Sequence, residues 1–110
     1  MKGTLLVCSP NMRVLDEWPQ DSPPPLEQLQ AFVGGDIEAV PGWTSIQHRG
    51  IRHKCVAFFN EHGKQKALPK NHYASVLWAL QWDARRGELK DHLVGPVVIL
   101  YGDADFMAAL

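Results

Sequence analysis

The sequence lacks any apolar run long enough to span a bilayer, which takes about 20 residues; TLLVC (4–8), CVAFF (55–59) and VVIL (97–100) are strand-sized. The start MKGTLLVCSP is read as a first strand rather than a signal peptide, because its apolar run is too short for an h-region and Ser9, Pro10 and Asn11 follow at once. Charge of neither sign is in excess. The 11 Lys and Arg against 12 Asp and Glu leave a formal net charge of -1, so duplex nucleic acid, which wants a basic stripe, is a disfavoured partner. Cysteine is scarce: Cys8 and Cys55 both lie in apolar, strand-like segments, where a reduced thiol acts as a small buried hydrophobe, in keeping with a cytoplasmic protein. Glycine-rich phosphate loops are missing too, since Gly34-Gly35 follows a helical pattern instead of opening one, and GxSxG and HExxH are absent.

What is present is an ordinary globular composition. With 110 residues, of which 45% are hydrophobic, the chain is expected to form one domain, 1–110, around one modest core. No separate cofactor domain fits, and no cofactor is expected. TLLVC reads as a strand, and MRVLDEW (12–18) as a second strand or an extended continuation. PQDSPPP (19–25) is excluded from regular structure by its prolines, but Ser22 is placed to cap a helix over LEQLQAFV (26–33), closed by Gly34-Gly35.

DIEAVPGW (36–43) alternates as a strand that ends at Pro41-Gly42. TSIQHRGIRHK (44–54) reads as a loop or an irregular strand pair, CVAFF as a strand and KAL (66–68) as a short one, with Gly63 in the turn between the last two. NHYASVLWALQW (71–82) is the strongest helix, with Asn71 as N-cap and a stripe of Tyr73, Val76, Leu77 and Leu80 that Ala74, Trp78 and Trp82 widen. LVGPVVILYGD (93–103) is the most apolar strand, and ADFMAAL a short helical turn or a fraying tail. Strands and helices without βαβ alternation predict α+β: a small, mainly antiparallel sheet with two helices packed on one face.

The chemistry-bearing residues are few. His48, His53, Cys55, His62 and His72 fall in a short span, yet only His53 and Cys55 form a close pair, so no metal site is assigned. Pairing Cys55 with His53, His62 or His72 would make a nucleophile, but the apolar continuation VAFF argues for packing instead. Asp36, Glu38 and Glu61 are conceivable acid-base partners that read better as solvent-facing residues. No catalytic residue is assigned. The one local charge run, His48, Arg49, Arg52, His53 and Lys54 beside Trp43, could hold a phosphate, a nucleotide or an acidic partner. The polar stretch NEHGKQKALPKN (60–71) is first a chain reversal, with His62 and Lys64 at its tip. The expected binding surface is therefore Trp43, Arg49, Arg52, His53, Lys54, His62 and Lys64, and a homodimer through Trp78 and Trp82 is a further expectation.

LEQLQAFVGGDIEAVP, AFFNEHGKQKALPKN and LVGPVVIL, in that order, resemble a family of small proteins carried mostly by bacteriophages, prophages and plasmids, known as domain of unknown function three-eight-four-six. Its pattern of a helix ending in VGG, a strand with I-E, a strand ending N-E-x-G, an L-P-x-N step and a G-x-V-V strand falls here on Val33, Gly34, Gly35, Ile37 and Glu38, on Asn60, Glu61 and Gly63, on Leu68, Pro69 and Asn71, and on Gly95, Val97 and Val98. Asp36 stands where the family commonly has an aromatic, and TSIQHRGIRHK looks particular to this chain. The resemblance implies a small α+β protein of mobile-element origin and assigns no activity. The expectation built on it is a non-enzymatic accessory protein, acting in the bacterial host cytoplasm, that binds and inhibits a host defence component. Alternatives are a protein that sequesters a nucleotide or other small anionic ligand, and a small hydrolase using Glu38 or Glu61 with a histidine.

Overall fold

Every residue from Leu5 to Cys8 and from Val97 to Leu100 is buried, which places these two segments at the centre of a sheet covered on both sides. The computed structural model describes residues 1–83 and 85–110. Strand β1 (Gly3–Cys8) pairs antiparallel with β7 (Val97–Gly102), Leu5 opposite Leu100 and Val7 opposite Val98. Around this pair lie β2 (Asp16–Gln20), β6 (Val56–Asn60) and β3 (Ile37–Ala39), giving a five-stranded sheet of order β2-β1-β7-β6-β3 in which every pairing is antiparallel. The remaining strands, β4 (Ser45–His48) and β5 (Ile51–Lys54), form a separate hairpin. The helices are α1 (Leu26–Val33), α2 (His72–Gln81) and α3 (Ala104–Ala108). The fold is α+β with a small, mainly antiparallel sheet.

The helices do not share one face, as the sequence led us to expect. Successive side chains along a strand point to opposite faces. Leu5, Val7, Val98 and Leu100 meet Leu29 and Val33 of α1 and Phe106 of α3, whereas Leu6, Cys8, Val97 and Ile99 meet Ala74 and Trp78 of α2 together with Trp43 and Ile46. Because β1 and β7 are apolar at consecutive positions, both faces need a cover, and α1 and α2 take one each.

Several local expectations also change. Ser22 does not cap α1; the N-cap is Pro25, without a side-chain hydrogen bond, while Gly34 closes the helix in the left-handed region (φ 82) and donates its N–H to the Gln30 carbonyl. β2 runs on through Pro19, which an edge strand tolerates because an outward N–H is not needed there. KAL (66–68) is not a strand: residues 61–67 form consecutive turns, with Lys66 N–H bonded to the His62 carbonyl and Leu68 N–H to the Gly63 carbonyl. On α2, Ala74 and Trp78 are buried while Val76 and Leu80 of the expected stripe are exposed. Trp78 is 3% exposed and its Nε1 donates to the Pro41 carbonyl at 2.7 Å; Trp82 packs edge-on against it at 5.7 Å and donates to the Gly87 carbonyl. Both indole N–H groups are thus satisfied within the protomer. No helix among the described residues is long and apolar enough to cross a membrane.

Candidate functional site

The stretch 44–54 is a regular two-residue hairpin. Arg49 and Gly50 both have positive φ (52 and 78), the conformation that suits the twist of flanking strands. Its register puts Ile46 opposite His53 and His48 opposite Ile51, while Ser45 faces Lys54 and Gln47 faces Arg52. Period-two alternation therefore divides the basic cluster between two faces. His48 and His53 point toward the sheet: His53 stacks on Tyr101 with ring centroids 3.9 Å apart, and His48 Nδ1 lies 2.8 Å from the Tyr101 hydroxyl. Arg49, in the turn, bonds the Glu17 carboxylate at 2.7 Å. Arg52 and Lys54 share the outer face, and Arg52 donates to Ser45 Oγ at 3.2 Å. His53 and Arg49 thus help dock the hairpin, and Arg52 and Lys54 remain as its outward cations.

Trp43 leaves the expected surface altogether. It is 3% exposed, inside the core with Ile46, Cys55 and Trp78. Its indole N–H has no hydrogen-bond partner and lies beside the Cys55 thiol. Burial pushes that thiol up to about 12, outweighing the neighbouring indole and the Arg52 charge. Cys8 is also raised by burial. Thiolate is the reactive form, so iodoacetamide at pH 8 is expected to label neither cysteine of the native protein and both after unfolding, as mass spectrometry would read.

The outer hairpin face continues onto α2. Gln81 Oε1 accepts the N–H groups of Thr44 and Ser45 at 3.0 and 3.1 Å, fixing the helix end to β4. Between them runs a groove of about 350 Å³ lined by Ser45, Gln47, Arg52, Leu77, Leu80 and Gln81. Leu80 is 79% exposed. Neither Leu77 nor Leu80 is in the binding surface expected from sequence; the helical period puts both on one apolar stripe, and the signal for a surface role is that the apolar arc is wide enough to need a partner as well as a core.

His62 and Lys64 sit elsewhere, in the turns after β6. Lys64 pairs with Asp91 and lowers that carboxyl's pKa; both border a second groove, of about 450 Å³, floored by Phe59, Trp78 and Leu93. His62 lies between Glu61 and Asp36. Of the seven residues expected at one surface, Arg52 and Lys54 share the hairpin's outer face; His62 and Lys64 occupy the opposite end of β6.

A family model described as Domain of unknown function (DUF3846) matches residues 1–108. The chain belongs to this family. No curated protein and no solved structure matches it. In this DUF3846 chain the pattern residues serve the architecture. Asn60, buried, donates from Nδ2 to the Val33 carbonyl at the end of α1 and accepts the His62 N–H at Oδ1. Asn71 caps α2 by accepting the Ala74 N–H. A Cβ on Gly63 would lie 2.8 Å from Val94, and one on Gly95 (φ 71) 2.7 Å from Leu68, so both turns pack too closely for a side chain.

Proposed function

We propose that this DUF3846 protein is a non-enzymatic accessory protein of bacteriophages, prophages or plasmids that binds a protein component of its bacterial host, a defence factor foremost, and holds it inactive. The observation that carries this reading is the position of Leu80, 79% exposed, across a groove from Arg52. An apolar helix edge beside two outward cations on a rigid hairpin fits a partner surface with an apolar anchor ringed by carboxylates. The anchoring of β4 to α2 through Gln81 keeps the two halves of that face in register.

The test is the pair Arg52→Glu and Lys54→Glu, with Leu80→Glu made separately. All three positions are exposed, so surface changes of this kind are expected to shift stability by no more than about 0.5 kcal/mol. Host protein captured by the tagged wild type and identified by mass spectrometry should be lost in both variants, and phage restriction by the host should return. Capture and inhibition unchanged in both variants would remove this face from the function. A second reading, sequestration of a small anion, rests on the Arg52 guanidinium sharing its groove with Ser45, Gln47 and Gln81. Native mass spectrometry of protein purified from its host separates the two, since only the second leaves a retained small molecule.

A further inference from the structure

The carboxylates weighed from sequence as acid-base partners acquire a different use once the strands are paired. Asp36 directly precedes β3 and Glu61 directly follows β6, and the Glu61 N–H donates to the Asp36 carbonyl at 3.0 Å, so the two residues close the end of one ladder. His62 comes next, its own N–H held at 2.9 Å by Oδ1 of the buried Asn60. Its Nε2 lies 3.2 Å from Glu61 Oε1 and 3.8 Å from Asp36 Oδ2, and all three side chains offer a ligand atom within 4.8 Å of the others. Zinc bound at 2.0–2.2 Å by nitrogen and oxygen sets tetrahedral ligand atoms about 3.4 Å apart. The imidazole contacts bracket that spacing, and rotation of the exposed carboxylates closes the rest.

We infer that Asp36, Glu61 and His62 form a binding site for a divalent transition-metal ion, with zinc the best-suited probe. One imidazole and two carboxylates make a borderline donor set, which favours zinc or its neighbours over calcium, a cation that takes six to eight oxygens. Three protein ligands leave open coordination positions for water. A supporting contact is already in place: Gln30 Nε2 donates to Asp36 Oδ1 at 3.3 Å, leaving Oδ2 turned to His62. An outer hydrogen bond of this kind orients a ligating carboxylate. Asn60 does the same for the turn that carries His62. The site lies on the sheet end away from the Arg52 and Leu80 face and does not rest on the host-binding reading.

Isothermal titration of the full chain with zinc chloride at neutral pH should show one ion bound with micromolar affinity. His62→Ala and Asp36→Asn should each weaken it by more than about 100-fold, and Gln30→Leu, which removes only the orienting contact, by roughly 10-fold. The three altered residues are surface groups, and circular dichroism with thermal melting checks that each variant is folded. The double variant His72→Ala, His92→Ala should bind as the wild type does. Absence of uptake at millimolar zinc would overturn the site. So would affinity unchanged in both His62→Ala and Asp36→Asn, because the ion would then be held by other side chains.

Discussion

Replacing Asn71 by alanine should destabilise the protein by about 4 kcal/mol, the sum of one lost helix cap and two buried carbonyls left without a donor. Asn71 is fully buried. Its Nδ2 donates to the Cys8 carbonyl at 2.8 Å and the Gly95 carbonyl at 2.9 Å, and its Oδ1 accepts the Ala74 N–H at 3.1 Å. One side chain therefore starts α2, ends β1 and holds the loop that enters β7. Asn71→Asp discriminates between the roles. Aspartate caps a helix as well as asparagine does, so a residue that only capped α2 would lose almost nothing. Here the carboxylate would face two carbonyl oxygens that need donors, and Asn71→Asp should be at least as damaging as Asn71→Ala at pH 7. Urea unfolding followed by circular dichroism measures both. An Asp variant within about 0.5 kcal/mol of wild type would show that the two carbonyls are satisfied by other means.

The capping half of this role is legible in the sequence, because a cap is a local relation between Asn71 and the N–H three residues on. The other half is not. Cys8 and Gly95 lie 63 and 24 residues away, and no periodicity reports which carbonyls a folded chain leaves exposed inside. The same limit explains the sheet. Apolar runs announce β1, β6 and β7, but a run apolar at every position signals burial on both faces, which is incompatible with helices on one face alone. The basic cluster divides for a related reason: read as a loop, Arg49, Arg52, His53 and Lys54 share one surface, whereas the ladder from Ser45 to Lys54 turns His53 to the face opposite Arg52 and Lys54 and leaves Arg49 in the turn. Trp43 reads alike as an interface or a core residue from its type alone, and only the packing against Ile46 and Cys55 decides. NEHGKQKALPKN was legible as a chain reversal; that Glu61 and His62 come to lie beside Asp36 depended on the β3 and β6 register.

The second large effect concerns a place where two strands have no side chains. Gly3 and Gly102 are directly opposite in the β1 and β7 ladder, and the ring of Phe106, fully buried, lies over them. A Cβ on Gly3 would sit 2.5 to 2.6 Å from three ring atoms of Phe106. An aromatic covering glycines in this way supplies the packing that a side chain on the strand would otherwise give. The ring is positioned by Asp103, which caps α3 by accepting the Phe106 N–H at 2.9 Å, accepts the Lys2 N–H at 2.8 Å, and donates its own N–H to the Lys2 carbonyl. Those donors, Phe106 first, hold the Asp103 carboxyl below its usual value. Its contribution is therefore present above the unfolded carboxyl's pKa and is lost as pH falls through the depressed one.

Phe106→Ala should cost about 3–5 kcal/mol as the core opens beneath α3, and Gly3→Ala about 2 kcal/mol through overpacking against the ring. The two are coupled, because the three atoms nearest the new methyl all belong to Phe106. In the Phe106→Ala background, or in Phe106→Leu where the first proves too unstable to measure, Gly3→Ala should cost less than about 0.5 kcal/mol. Gly102→Ala behaves differently. Its Cβ would meet the Lys2 carbonyl oxygen at 2.6 Å and the Gly3 Cα at 2.7 Å as well as the ring, and backbone does not move aside when a side chain is truncated. Removing the ring should leave most of the Gly102→Ala penalty in place. Equal and additive penalties for the two glycines in a double-mutant cycle would mean that Phe106 does not rest on the Gly3 and Gly102 pair.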